Sequence, residues 1–168
     1  MAFSTTLKKH DRHEEKRINK GEKHGSLTDK EAAAFRSYLQ KGGFTIFDDF
    51  RMSGDPRAGG GWENFEANMH RVLPDARIVD LDTSLPIFHS FFEIDSFEII
   101  PQMYDSGRPL FRGIFENNDP TKRLMVVVNY STDVSDFWEF SATGIRPIDD
   151  SNQAYKLGVN YLLYGLTH

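Results

Sequence analysis

The sequence predicts an α/β domain, three-layered and doubly wound, built on a mainly parallel sheet. Three observations carry this expectation. Helical and strand-like segments alternate from residue 27 to residue 81 with short connections, which is how helices covering both faces of a sheet read. The first strand-like segment, Phe44-Thr45-Ile46-Phe47, is nearly all apolar, as suits a strand buried on both faces. The 168 residues, 39% hydrophobic with fourteen Phe, are enough for one packed core.

The elements follow in order. Thr28 with Glu31 three residues later forms a capping box, and Ala32, Phe35, Tyr38 and Leu39 recur at helical spacing. A helix is therefore expected over 29–41, closed by a left-handed Gly42. Strand 44–47 ends at Asp48-Asp49. A glycine-rich loop (Gly54, Gly59, Gly60, Gly61) then leads into a helix over about 62–72, with Trp62, Phe65, Met69 and Val72 on one side and Pro74 as its stop. Arg77 to Leu81 reads as a second strand. Leu85 to Phe92 reads as an apolar turn or short helix, and Phe97 to Ile100 as a short extended piece. Residues 111–116 and 122–130 flank Asn117-Asn118-Asp119-Pro120, the signature of a β-hairpin inserted into the domain. A short helix is expected around Trp138. A last helix, about 151–166, is expected to bury a face made of Tyr155, Val159, Leu162, Leu163 and Leu166, with Tyr161 and Tyr164 flanking it, so that the helix is well buried.

Charge divides the chain. Residues 1–24 hold seven Lys/Arg against four Asp/Glu, and the remainder thirteen against twenty-one, giving the overall −5. Residues 1–25 carry few large apolar side chains and read as a polar segment outside the core, with residues 26–168 as the single domain. The acidic body argues against a nucleic-acid partner, because phosphate binding needs clustered positive charge. No apolar run reaches the ~18 residues of a spanning helix, and the N-terminus lacks the apolar stretch of a signal peptide. There is no cysteine, which excludes disulfides, thiolate metal sites and thiol nucleophiles.

Candidate sites follow from the sheet. Open α/β sheets bind ligands at the carboxyl ends of their strands. Asp48 and Asp49 follow the first strand there; Asp133, Asp136, Trp138 and Glu139 follow the strand ending at Tyr130. If the two strands are parallel neighbours, the carboxylates converge on a divalent cation, with Asp49 and Asp136 as its ligands, or form an acid/base pair. The structural alternative is that Asp48 or Asp49 caps a turn while Asp133 or Ser135 caps the Trp138 helix. Trp62 at a helix start and His89 within the apolar Pro86-Ile87-Phe88-His89 complete the ligand-binding candidates. The loop at 54–61 matches neither phosphate-binding glycine motif and reads as a connection. Asn160, within an apolar helix, needs a hydrogen-bond partner if buried, and Gly158 beside it allows close backbone approach.

Several stretches together resemble one bacterial family, domain of unknown function 4159. They are Leu39-Gln40-Lys41-Gly42-Gly43-Phe44 into Phe47-Asp48-Asp49-Phe50, Trp62-Glu63-Asn64-Phe65, Pro86-Ile87-Phe88-His89, Asp133 to Asp136 with Trp138-Glu139, and Gly158-Val159-Asn160-Tyr161 to Leu166-Thr167-His168. The resemblance covers residues 27–168. It implies a fold of the class I glutamine amidotransferase-like or flavodoxin-like type, without an established activity, and some relatives that are exported or membrane-anchored. The cysteine that amidotransferases need is missing, so their chemistry cannot operate here. Leu85 stands where relatives often place a histidine. Relatives also carry a strand before the helix at 29–41, which a βαβ crossover requires, and residues 1–25 offer none. The fold is therefore expected to be incomplete at its N-terminus, with the sheet edge beside strand 44–48 open to a protein partner or a second copy. The functional expectation is a non-catalytic module binding a small ligand or a protein; the alternative is a metal-dependent hydrolase using the acidic cluster.

Overall fold

A computed structural model describes residues 25–51, 60–100 and 108–168. The polar segment before residue 25 and the loop glycines Gly54 and Gly59 lie outside the described residues. The elements are α1 (Asp29–Gln40), β1 (Thr45–Phe50), α2 (Gly61–Val72), β2 (Val79–Asp80), β3 (Leu110–Phe115), β4 (Leu124–Tyr130), α3 (Val134–Glu139) and α4 (Ile148–Thr167), with 3-10 turns at Pro86–Phe88 and Phe97–Ile99. The capping box of α1 is present, Glu31 N–H donating to Thr28 Oγ1 while Thr28 N–H donates to Glu31 Oε2. Gly42 follows α1 with φ 101°, a left-handed position that costs glycine nothing.

The strands form one sheet in the order β1-β4-β3-β2. β1 pairs parallel with β4, whereas β3 is antiparallel to both β4 and β2. The sheet is mixed, which corrects the mainly parallel expectation. The hairpin is the reason. Two strands joined by residues 116–123 are too closely linked for a parallel crossover and must run antiparallel. Nor is this hairpin an insertion: β3 and β4 are the two central strands. The turn fits because Asn117 and Asn118 both adopt left-handed backbone (φ 57°), and the Asn118 side chain accepts from Arg77 N–H and donates to the Asp75 carbonyl. The strand expected over 77–81 shrinks to Val79–Asp80, and the extended piece at 97–100 is a 3-10 turn capped by Ser96.

Helices cover both faces of the sheet. On one face α1 and α2 pack Leu39, Phe65, Met69 and Val72 against Val126, Val128 and Tyr130. On the other, α3, α4 and the 86–88 turn pack Phe137, Leu157, Tyr161, Ile87 and Phe88 against Phe111, Leu124 and Val127. All seven residues of β4 are buried, which places this strand at the centre of both cores. No helix among the described residues is long and apolar enough to cross a membrane.

α4 faces the opposite way from the expectation. Its buried residues are Ser151, Ala154, Leu157, Asn160, Tyr161 and Tyr164. Tyr155, Leu162 and Leu166 are exposed. What fixes the orientation is polar. Asn160 is fully buried, its Oδ1 accepting from the N–H groups of Phe91 and Phe92 (3.1 and 2.8 Å) and its Nδ2 donating to the carbonyls of Phe88 and Phe92 (2.9 and 2.8 Å). Tyr164 reinforces it, its hydroxyl accepting from Leu124 N–H at 2.8 Å. Gly158 matters too, because a Cβ there would lie 2.7 Å from the Trp138 ring.

Replacing Asn160 by Leu, similar in size, takes their partner from the Phe91 and Phe92 amides and from the Phe92 carbonyl, while the Phe88 carbonyl keeps Ile94 N–H. We expect it to lower unfolding free energy by about 3 kcal/mol in urea titration, and the 88–92 amides to lose protection from hydrogen exchange.

Candidate functional site

The parallel pairing of β1 and β4 brings their carboxyl ends side by side, and α3 starts at that edge. Asp48, near the end of β1, reaches across to both neighbours. Its Oδ1 accepts from Asn129 Nδ2 (2.9 Å) and Val134 N–H (3.2 Å), and its Oδ2 from Ser135 N–H (2.7 Å). Asn129 in turn accepts from the buried Tyr161 hydroxyl at 2.7 Å. One polar line therefore runs from α4 through β4 and β1 to the first turn of α3. Asp133 caps that turn conventionally, accepting from Asp136 N–H (3.0 Å) and Ser135 Oγ (2.8 Å).

The backbone at this edge is unusual on both strands. Asp49 and Ser131 hold φ of 69° and 61°, conformations that cost non-glycine residues of order 1 kcal/mol or more each. Between them Ser131 N–H donates to the Phe50 carbonyl at 2.7 Å, and Phe50 pairs with Thr132. The register of β1 on β4 shifts between Phe47 and Phe50. The Ser131 hydroxyl is buried with no hydrogen-bond partner.

Electrostatics sharpen the picture. Burial raises the Asp48 carboxyl above the ordinary range, and its three hydrogen bonds only partly offset this. Asp133 is pushed up to about 6, first by burial and then by the Asp48 charge; Ser135 opposes the rise and the Asp49 charge adds to it. Burial and the Asp48 charge hold the Tyr161 hydroxyl well above its usual value. Among the described residues Asp133 has no cationic partner.

The other expected site residues separate from this cluster. Asp136 is paired with the Arg146 guanidinium, which also lies over Phe137. Glu139 is exposed at the end of α3, and Trp138 is half-buried against Gly158 with its indole N–H unpartnered. Trp62 sits in the core on the other face of the sheet, edge-on to Phe50 and Tyr130. Beside it lies a group that sequence reading did not single out: the Arg112 guanidinium is 4.7 Å from the Trp62 ring centre and 4.2 Å from that of Tyr130, and pairs with Asp80 at 2.9 Å. Only its place in a strand signals Arg112 in the sequence.

His89 is far along the chain from the carboxylates and serves its own loop. Its Nδ1 pairs with Glu93 and its Nε2 with the Thr83 carbonyl. His89, Glu93 and Asp95 have ligand atoms within 4.8 Å of one another, the one such group of three among the described residues; Asp49 and Asp136 are not in it. Because both ring nitrogens already have partners, the arrangement explains itself as a staple of the 83–95 turn. Leu85 packs on the adjoining core.

Fold and site together define a three-layer α/β module with a partly buried acidic cluster at the carboxyl ends of its two parallel strands. Residues 20–166 match the family model described as Domain of unknown function (DUF4159), and the chain belongs to that family. No curated protein matches it.

The raised Asp133 carboxyl fixes the sign of a pH effect. It holds its proton more tightly folded than unfolded, so this contribution to stability is present below about pH 4 and is lost as pH rises to about 6. Asp133→Asn keeps a good cap and removes the charge. Thermal melts are expected to show this variant matching the parent near pH 4 and exceeding it near pH 7.

Proposed function

We propose that this chain is a non-catalytic binding module whose Asp133 carboxylate, with Asp49 beside it, receives a cationic group of a small ligand or a protein partner. One observation carries the reading. Asp133 is a partly buried acid held near two other carboxylates, and no cation of the described residues neutralises it. An ammonium or guanidinium group placed there relieves the like-charge repulsion and displaces the proton, so binding strengthens as pH rises through about 6. Asp48 supports the reading from behind: both its oxygens are engaged by the scaffold, so its position beside Asp133 is fixed.

The experiment is an NMR titration with butylammonium and ethylguanidinium, acetate serving as the anionic control. The expected result is a saturable shift of the amides of 131–136, larger near pH 7 than near pH 5 and absent in Asp133→Asn. Equal shifts in parent and variant would overturn the proposal.

The second reading, a metal-dependent hydrolase, draws on the same proton affinity near neutrality, which suits an acid/base carboxylate. Magnesium, manganese or calcium binding that disappears in Asp133→Asn would favour it. We infer further that the fold is glutamine amidotransferase-like, a reading supported by its three layers and by the site edge at the end of parallel strands. With no cysteine in the chain, likeness in fold carries no thiol chemistry.

A further inference from the structure

α4 presents apolar faces in two opposite directions. Leu157, Tyr161 and Tyr164 bury one face against the sheet. On the other stand Ile148, Tyr155, Leu162 and Leu166, 76%, 46%, 44% and 56% exposed. At about 100° per residue these four positions, with Val159, fall in one narrow stripe along the whole helix, opposite the core face. Ile145, three residues before the helix, and Phe91, whose N–H is bound to Asn160, add two more side chains that are each 65% exposed. A helix apolar all round is ordinarily covered all round, and a contiguous exposed apolar surface marks an interaction site.

Charge selects the occupant. On one flank of the stripe stand Asp149 and Lys156, about 10 Å apart along the axis, neither in an ion pair among the described residues. On the other flank are Gly158 and Gly165, against which Trp138 and Phe44 of the same chain are packed. In a two-fold antiparallel pair of helices each flank meets the same flank of its mate; in a parallel pair it meets the opposite one. Only the antiparallel pair brings Asp149 of one copy to Lys156 of the other, and it does so twice. In that register opposite residue numbers add to about 305, so Ile148 of one copy and Val159 of the other lie within about 3 Å of one level along the axis, and Leu162 and Leu166 extend past the start of the other copy's α4. A hollow of about 410 Å³ on this flank, bounded by Phe92, Asp149, Gln153 and Tyr155, is open to an inserted side chain. The buried Gln153 Oε1 at its wall lacks a partner.

We propose that this face binds a second copy of the chain through an antiparallel α4–α4 pair, with the exposed stripe from Ile148 to Val159 as its seam and two Asp149–Lys156 pairs setting its register. The inference is independent of any ligand at Asp133.

Sedimentation equilibrium of the full chain, over a roughly hundredfold range of concentration, tests it. The expected result is a monomer–dimer equilibrium that Ile148→Asp abolishes, with circular dichroism unchanged because the position is exposed. Asp149→Lys and Lys156→Asp each bring like charges together and are expected to weaken the dimer about tenfold or more; the double swap Asp149→Lys/Lys156→Asp restores it. A monomer throughout, or a dimer indifferent to Ile148→Asp, overturns the proposal. Failure of the double swap to restore association overturns the antiparallel register.

Discussion

The Asp48 carboxylate ties together elements that apolar contact alone would leave free to slide. β1 touches β4 through ladder hydrogen bonds, but nothing in that ladder places α3. Asp48 does so by accepting from the first amides of α3 and from Asn129, which itself accepts from Tyr161 of α4. Four elements are thus held by one side chain and its relay. Burying a carboxylate is costly, and three donors reduce that cost without removing it. Next door, burial first and the Asp48 charge second raise the proton affinity of Asp133.

The two apolar cores depend on β4 in a similar way. Leu124 and Val127 serve one core while Val126 and Val128 serve the other. Each fully buried aliphatic side chain of this kind is worth about 2 kcal/mol. At the far side of the sheet Arg112 closes the arrangement between two aromatic rings and Asp80, so a charge at the sheet surface is neutralised without leaving the protein. The acidic edge and this cation lie at different places, and Arg112 does not relieve Asp133.

Much of the fold was legible in local sequence. The capping box of α1, the helix carrying Trp62 and Phe65, and the hairpin around Asn117-Asn118 all rest on interactions within a few residues, which the sequence displays directly. Parallel pairing of 44–48 with the strand ending at Tyr130 was inferable from apolar runs. The mixed sheet follows from that hairpin only once its two strands are central, and this depends on β1 finding β4 some eighty residues on and β2 finding β3, which no local pattern displays. For α4, apolar periodicity pointed to Tyr155, Leu162 and Leu166 as the buried face. The opposite face won because Asn160, a polar residue, has four partners waiting in the 88–92 segment. At the site, the sequence placed Asp48 and Asp133 at two strand ends that meet only if those strands pair in parallel, whereas the relay through Asn129 and Tyr161 joins residues 32 positions apart and leaves no local trace.

The short link between β3 and β4 bears on how the chain reaches its native state. These central strands meet after closing the eight-residue link 116–123, a step that is fast and entropically cheap. β1 must find β4 across some eighty residues, Thr45 opposite Val126. The hairpin is therefore the natural nucleus, and β1 arrives late onto a strand already paired on its other side. Until β1 docks, one edge of β4 lies open, a row of valines with unpaired amides. During that interval the apolar edge of β4 is itself open to pairing with the wrong strand.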